Sequence, residues 1–330
     1  MKVLIAGGAG YIGSRLTVRL LERNDSVVIL DAGFFGNAFS VDSSNPMLTV
    51  VTEDIRTFNE AHLLGVDAVV DLAGLSSDAA AAVSVDVTEQ INHHGSVRLA
   101  MLSKKAGVKR YIYSSSCSVY GAADGIVSET SKLNPVTKYA QTKIASEGEI
   151  KKISDNSFHT TILRNATVYG LSERQMRFDL IVNKMTLDAF MSGTIQIFGS
   201  GTLWRPLIHI DDLIDAYVIV LDTSIGSSSS GEIFNVGSND QNFTVREIAE
   251  HICAHFPGTS IKYISSNGDQ RSYRVNFDKF SHQFKNITQR TIDDGIREIT
   301  NALTNSKVRG APESDRGEYT MSLVRNGKLR

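Results

Sequence analysis

Tyr139 and Lys143 stand four residues apart in Tyr139-Ala140-Gln141-Thr142-Lys143, downstream of the hydroxyl run Ser114-Ser115-Ser116. On a helix that spacing puts both side chains on one face, one turn apart. An ammonium beside a phenol stabilises the phenolate and lowers the tyrosine pKa. Bringing a tyrosine from about 10 towards 7 takes roughly 4 kcal/mol of differential stabilisation. A lysine charge together with a bound nicotinamide cation is enough to supply it. A hydroxyl at the end of the neighbouring strand can hold the reacting oxygen. Base, activator and orienting donor together suit removal of a proton from an alcohol while hydride leaves to a dinucleotide.

A dinucleotide cradle is written at the start of the chain. Gly8, Gly10 and Gly13 in Gly7-Gly8-Ala9-Gly10-Tyr11-Ile12-Gly13 fit G-x-G-x-x-G, and Gly7, Gly10 and Gly13 also fit G-x-x-G-x-x-G. The turn follows the strand-like run Lys2-Val3-Leu4-Ile5-Ala6 and opens a segment of helical periodicity. Bare backbone lets a pyrophosphate approach, and the unpaired N–H groups of the first helical turn face it. A second strand, Ser26-Val27-Val28-Ile29-Leu30, ends in Asp31. A carboxylate there accepts both adenosine ribose hydroxyls and repels a 2′-phosphate, which favours NAD over NADP.

These groups need a scaffold. Further apolar runs follow at Met47-Leu48-Thr49-Val50-Val51, Val66-Asp67-Ala68-Val69-Val70-Asp71-Leu72, Arg110-Tyr111-Ile112-Tyr113-Ser114 and Thr160-Thr161-Ile162-Leu163. Helical patterns lie between them near 84–106 and 139–152. The alternation predicts an α/β fold with a Rossmann-type doubly wound parallel sheet, ligands sitting at the carboxyl ends of its strands. The pattern changes after about Gly170. Helices are expected over 179–190, 211–221 and 242–255, the last with Thr244 as N-cap, and strands at 195–198 and 207–210. The organisation expected is a dinucleotide-binding domain over 1–170, to which the chain returns around 205–237. A smaller α/β substrate-binding domain over 171–308 and a tail over 309–330 complete it. The segment 224–231 reads as a Ser/Gly loop, and the polar tail after 306 is expected to be mobile or to pack late.

Composition narrows the classes. The 330 residues carry a net charge of −2, with 42% hydrophobic and 21% charged residues. Neither a nucleic acid nor an anionic membrane is indicated as a partner. No apolar stretch approaches membrane-spanning length, and the N-terminus runs straight into strand one, leaving no room for a signal peptide. Two cysteines, Cys117 and Cys253, make no disulfide framework. A cytoplasmic protein is expected.

At this point the chain resembles the extended short-chain dehydrogenase/reductase family, in its nucleotide-sugar epimerase/dehydratase branch. The resemblance spans about 1–303. Beside the glycine turn and Asp31 it rests on Asp54-Ile55-Arg56, Asp71-Leu72-Ala73-Gly74, Asn92 and the 114–121 segment. It rests further on the Tyr139/Lys143 pair, Leu163-Arg164-Asn165-Ala166-Thr167-Val168-Tyr169-Gly170 and Arg205-Pro206-Leu207-Ile208-His209-Ile210-Asp211-Asp212. It implies NAD as cofactor, a nucleotide-diphosphate sugar as substrate, a role in carbohydrate biosynthesis and a homodimer joined through the helices near 84–106 and 139–152. It implies Tyr139 as acid/base, Lys143 as the ribose-binding residue that lowers its pKa, and Ser116 as the hydroxyl bonded to the reacting sugar oxygen. Asp54 and Ile55 would contact the adenine and Ala73 the pyrophosphate–nicotinamide path, with Asn92 counted among the cofactor residues. Arg205 would grip the substrate diphosphate, with Arg271 and Asn183 as further substrate residues. Asp71 and Gly74 depart from the family's usual His-Leu-Ala-Ala, and Thr167 stands where the family often has Asn.

The resemblance leaves the reaction to local chemistry. The family's 4,6-dehydratases carry Asp-Glu after the catalytic hydroxyl, and its decarboxylases a Glu at the position of Ser118. Here Cys117 and Ser118 occupy those places, which disfavours both activities. The family's 3,5-epimerases place a reactive Cys where Ser118 stands; Cys117 is one residue off and in extended backbone points the other way, so it reads as a packing residue. A 4-epimerase needs only Ser116, Tyr139, Lys143, firmly held NAD and room for a keto-sugar to turn. A 4-dehydrogenase or 4-keto reductase would use the same groups, and a non-catalytic NAD-binding sensor or scaffold is the alternative of another class. The segment 176–183 with Trp204-Arg205-Pro206 resembles a subgroup acting on less common sugars. No metal is expected: Cys253 lies about 200° around the helix from His251 and off the face His251 shares with His255.

Overall fold

The structure is a computed structural model. It describes residues 1–36, 39, 44–76, 78–224, 231–265, 271–284, 290–308 and 316–329. Most of the loop expected at 224–231 therefore lies outside the described residues.

Strands whose residues are buried almost without interruption have to be covered on both faces, and the N-terminal part is built that way. β1 (Lys2–Ala6) leads through the glycine turn into α1 (Tyr11–Glu22), and β2 (Ser26–Leu30) and β3 (Leu48–Val51) complete one half of the sheet. β4 (Ala68–Asp71) begins the other half and is followed by α2 (Asp78–Val83) and α3 (Val85–Glu89). A π-helical stretch, Gln90–Gly95, joins α3 to α4 (Ser96–Lys105). Next come β5 (Arg110–Ser116), β6 (Ala122–Val127), α5 (Lys138–Lys152), β7 (His159–Asn165) and β8 (Thr167–Tyr169). The remaining described elements are α6 (Ile181–Ser192), β9 (Thr194–Phe198), β10 (Trp204–His209), α7 (Ile210–Asp222), β11 (Glu232–Val236) and β12 (Asn242–Thr244). After these come α8 (Val245–His255), β13 (Ser260–Ile264), β14 (Ser272–Val275), α9 (Asp278–Phe284), α10 (Ile292–Thr304) and α11 (Arg316–Arg325).

The main sheet has seven parallel strands in the order β3-β2-β1-β4-β5-β7-β11. Strand order reverses between β1 and β4, and the crevice that opens there at the carboxyl ends is where a doubly wound sheet binds ligands. The chain does return to this sheet after leaving it. β11 pairs with β7, and α7 lies against α1 through Arg15–Asp211, Arg19–Asp215 and Arg23–Asp222 ion pairs. Smaller sheets carry the rest: β12-β10-β8, β13-β9 and β14-β6. A separate apolar cluster, with Ile195, Ile197, Ile248, Ile252 and Ile296 at its centre, holds α6, α8 and α10 against them.

Four local expectations are corrected or refined. The helix expected over 242–255 starts at Val245, because Thr244 and Glu247 form a capping box and Asn242–Thr244 pairs antiparallel with β10. The helical stretch expected near 84–106 stays helical from Val85 to Lys105 and takes a π-helical course over Gln90–Gly95. The strand expected at 207–210 runs from Trp204 to His209, and Ile210 already belongs to α7. Of the tail, the described residues 316–329 are packed: α11 lies on α2, with Leu323 and Leu329 buried.

Candidate active site

The glycine turn explains itself sterically. A Cβ on Gly13 would stand 2.2 Å from the Gly7 carbonyl oxygen, and one on Gly7, at φ +73°, would meet the Leu72–Ala73 peptide at 2.9 Å. The backbone of β1, α1 and the loop after β4 can approach only if these positions are bare. Gly10 is the N-cap of α1 and offers no capping side chain, so the first-turn amides are left for an anion. Asp31 accepts the Ala9 amide at 3.1 Å and the Gly33 amide at 2.9 Å, which fixes its carboxylate beside the turn.

From this turn a cavity of about 770 Å³ runs to the ends of β4 and β5. Gly7, Gly10, Tyr11, Ile12, Gly13, Asp31, Asp54, Ile55 and Ala73 line it on one side, and Ser116, Tyr139, Lys143, Arg205 and Arg271 on the other. Pyrophosphate cradle, ribose carboxylate and redox end thus lie along one cleft, and these residues fit a dinucleotide.

Two expected site residues lie off the cavity wall. Asn183 is fully buried and does not line the cavity. Its Oδ1 accepts the Gly170 amide at 3.1 Å, and its Nδ2 donates to the Arg177 carbonyl at 2.9 Å and to Tyr11 Oη at 3.3 Å. Asn92, also fully buried, braces Leu75 through both backbone groups, at 2.8 and 3.1 Å. Both amides are held by protein groups and position their neighbours. Gly74, one of the departures from the family pattern, has φ +156° and a would-be Cβ only 2.9 Å from Asn92 Oδ1.

The reacting end is built from β5 and α5. Thr137 caps α5 by accepting the Ala140 amide, which starts the helix one residue before Tyr139. Lys143 Nζ donates to the Ser114 carbonyl at 2.7 Å and lies 4.7 Å from the Tyr113 ring centre and 5.7 Å from that of Tyr139. Beneath them, Arg164 and Glu147 form a buried two-point ion pair, with Nη2–Oε2 at 2.7 Å, that ties β7 to α5. Ser116 Oγ accepts the Ser118 amide at 3.1 Å, and its hydroxyl favours the Tyr139 phenolate.

The expected lowering of the tyrosine is corrected. In the protein alone burial pushes the Tyr139 phenol up to about 12, and Asp78 adds to the rise against Arg177, Ser116 and Arg271. Burial also pulls the Lys143 ammonium down to about 8, opposed by the Asp71 and Glu147 carboxylates. Asp71, the other departure, is fully buried at the end of β4. It accepts Tyr111 Oη at 2.8 Å and the Ala73 amide at 3.1 Å, and burial raises its carboxyl against the pull of Lys143. Cys117 is buried, donates to the Arg164 carbonyl, and is pushed far above the ordinary thiol range by burial, so it is no nucleophile.

Sequence reasoning missed Arg177, Asp78 and Asp179. Arg177 lines the cavity, held by Asp179 at 2.7 and 2.9 Å and by Ser76 Oγ at 2.9 Å. Asp78 pairs with Arg271, and Arg205 donates to the Trp204 and Arg271 carbonyls. The segment around Arg177 is irregular and gives no periodic signal, and Arg177 is one of several charged residues in it. Outside the cleft, His251 and His255 both meet Asp293 of α10, at 3.3 and 2.9 Å, with Cys253 turned towards the Thr259 carbonyl instead.

A doubly wound sheet with this cleft and a Ser/Tyr/Lys end defines a dinucleotide-dependent oxidoreductase-type site. Residues 3–237 match the model of the NAD-dependent epimerase/dehydratase family, and the chain belongs to that family. It is 32% identical over 265 residues to a UDP-glucose 4-epimerase of Mycolicibacterium smegmatis, covering 74% of this chain and 79% of that one. Among solved structures it is similar to a UDP-glucuronic acid 4-epimerase of Bacillus cereus bound to UDP-glucuronic acid and NAD. That likeness has 26% identity and a TM-score of 0.82, over 93% of this chain and 100% of the other. A UDP-N-acetyl-alpha-D-glucosaminuronate decarboxylase of Bacillus cytotoxicus also matches, at 25% identity over 88% of this chain and 89% of its own. No helix among the described residues is long and apolar enough to cross a membrane.

Proposed function

We propose that this chain interconverts nucleotide-linked sugars differing in configuration at C4, by oxidising that carbon to a ketone and re-reducing it from the opposite face. NAD, when bound, supplies the hydride acceptor and a positive charge beside the phenol. Tyr139 takes the proton from the sugar O4 and later returns it. Ser116 holds the same oxygen by a hydrogen bond. Lys143, anchored on the Ser114 carbonyl, keeps an ammonium under the site with donors left to orient a ribose. Arg205 and Arg271, both at the cavity wall, serve the diphosphate.

The observation that carries this reading is the chemistry of the two residues after Ser116. The Cys117 thiol is turned to a backbone carbonyl, and Ser118 lines the cavity with a hydroxyl that has no partner among the described residues. Dehydration or decarboxylation would want an acid there, and neither side chain is one. UDP-sugars, which the names of the similar epimerases give, are the first class to test.

Incubation with UDP-, dTDP-, GDP- and CDP-sugars, read by NMR for products and by absorbance for reduced cofactor, tests it. C4 epimers without accumulated NADH support the reading. A released 4-keto-sugar with stoichiometric NADH would make the chain a 4-dehydrogenase, and a 4-keto-6-deoxy product a dehydratase.

A further inference from the structure

The C-terminal helix touches the outer side of residues that line the cofactor cleft, away from the glycine turn and the reacting end. We propose that α11 is a clasp over the adenosine end of the cleft, and that NAD can leave only when this helix undocks. The inference rests on NAD binding and not on the reaction proposed above.

Three contacts place α11 there. The Tyr319 ring lies 5.9 Å from that of Phe35, and Phe34 and Phe35 line the cavity just after Asp31. Leu323 and Leu329 belong to the same apolar cluster as Val28, Leu30, Val51 and Ile55, beneath the carboxyl ends of β2 and β3. The helix also lies on α2, whose alanines allow close approach and whose Asp78 pairs with Arg271 across the cleft.

The end of the helix is built to stay in place. Gly327 takes φ +66°, and the Lys328 and Leu329 amides return to the Leu323 carbonyl at 2.9 and 3.2 Å. This closing turn folds Leu329 back to burial beside Leu323. Gly327 and Lys328 then wall a second cavity of about 400 Å³ with Ala32, Phe34, Asp54 and Arg56. Ala32, Phe34 and Asp54 line the main cleft as well. Ala32, Phe34 and Phe35 therefore stand between two occupants, a dinucleotide on one side and α11 on the other. Whatever holds these residues in place favours both, so docking of the helix and retention of the cofactor are reciprocally coupled.

The test is NADH dissociation, followed by fluorescence when the loaded protein is mixed with excess NAD and no sugar. Two altered proteins are compared with the full chain: one lacking residues 316–330, and Leu323→Ala with its fold checked by circular dichroism. Dissociation at least tenfold faster in both, with a matching loss of affinity, is the expected result. In the unaltered chain, NAD should also slow amide hydrogen exchange in residues 318–325. Dissociation within twofold of the full chain, or exchange in 318–325 that ignores NAD, would overturn the proposal. The exchange measurement needs no variant, so a truncated chain that fails to fold leaves the test standing. Sugar turnover is not read, so the clasp and the epimerase reading fail separately.

Discussion

Lys143 is buried and Tyr139 half-buried, and loss of solvent drives them in opposite directions: the phenol up to about 12 and the ammonium down to about 8. Bringing the phenol to a working value near 7 takes about 7 kcal/mol. Arg177 and Arg271 already pull downward within that value of about 12, so Lys143 and the charge brought by the bound cofactor have to provide it. Tyr139→Phe should lower turnover by about 10²–10⁴-fold while NAD affinity stays within a few-fold, measured by steady-state kinetics and calorimetry. Lys143 gives a second handle. Below pH 8 both folded and unfolded chains hold its proton, and the buried ammonium costs the folded state about 3 kcal/mol. Between pH 8 and 10.5 the folded chain has released a proton that the unfolded chain keeps, and the cost fades. Urea unfolding should therefore show the difference between the wild-type chain and Lys143→Met moving by about 3 kcal/mol in favour of the wild type from pH 7 to 10.5. A flat difference would contradict the burial argument. At this scale the convergence of Ser116, Tyr139, Lys143, Asp31 and the turn glycines on one cleft was legible, because the chemistry proposed for them is tied to spacing. Arg177 was not, and the protein partners of Asn92 and Asn183 were not either, because a sequence does not say whose backbone an amide will satisfy.

Elements place these residues by local rules that a sequence shows unevenly. The Thr244/Glu247 capping box was legible at its N-cap, yet the strand just before it was read as helix. The π stretch at Gln90–Gly95 carries Asn92 against the loop after β4, and a stretch of that kind leaves no mark in apolar periodicity. The closing turn of α11 did have a signal, Asn326-Gly327 followed by an apolar Leu329, in a tail whose polar composition pointed elsewhere. If Asn183 is a strut between α6 and Gly170, Asn183→Ala should cost about 1–3 kcal/mol in a thermal or urea melt and leave KM for the sugar nucleotide within twofold. A raised KM with unchanged stability would restore it as a substrate ligand. Gly13→Ala should abolish NAD binding in equilibrium dialysis, since its Cβ would fall 2.2 Å from the Gly7 carbonyl oxygen. Retained affinity would mean that the turn can open.

At the scale of the whole molecule, the doubly wound sheet was legible from buried apolar runs of strand length. The smaller sheets were not, because they join short segments far apart in the chain, as Ala122 with Ser272 and Thr167 with Leu207. Those pairings deliver Arg205 and Arg271 to the cleft opposite the glycine turn, so the site exists only once both parts have folded. The most direct test of the account is the fate of the hydrogen at C4. The loaded protein is given nucleotide sugars deuterated at C4, and the products are read by NMR. The account predicts a C4 epimer that keeps its deuterium at C4, with no net NADH. Failure to invert C4 in any UDP-, dTDP-, GDP- or CDP-sugar, or deuterium appearing on another carbon or in released NADH, would contradict it.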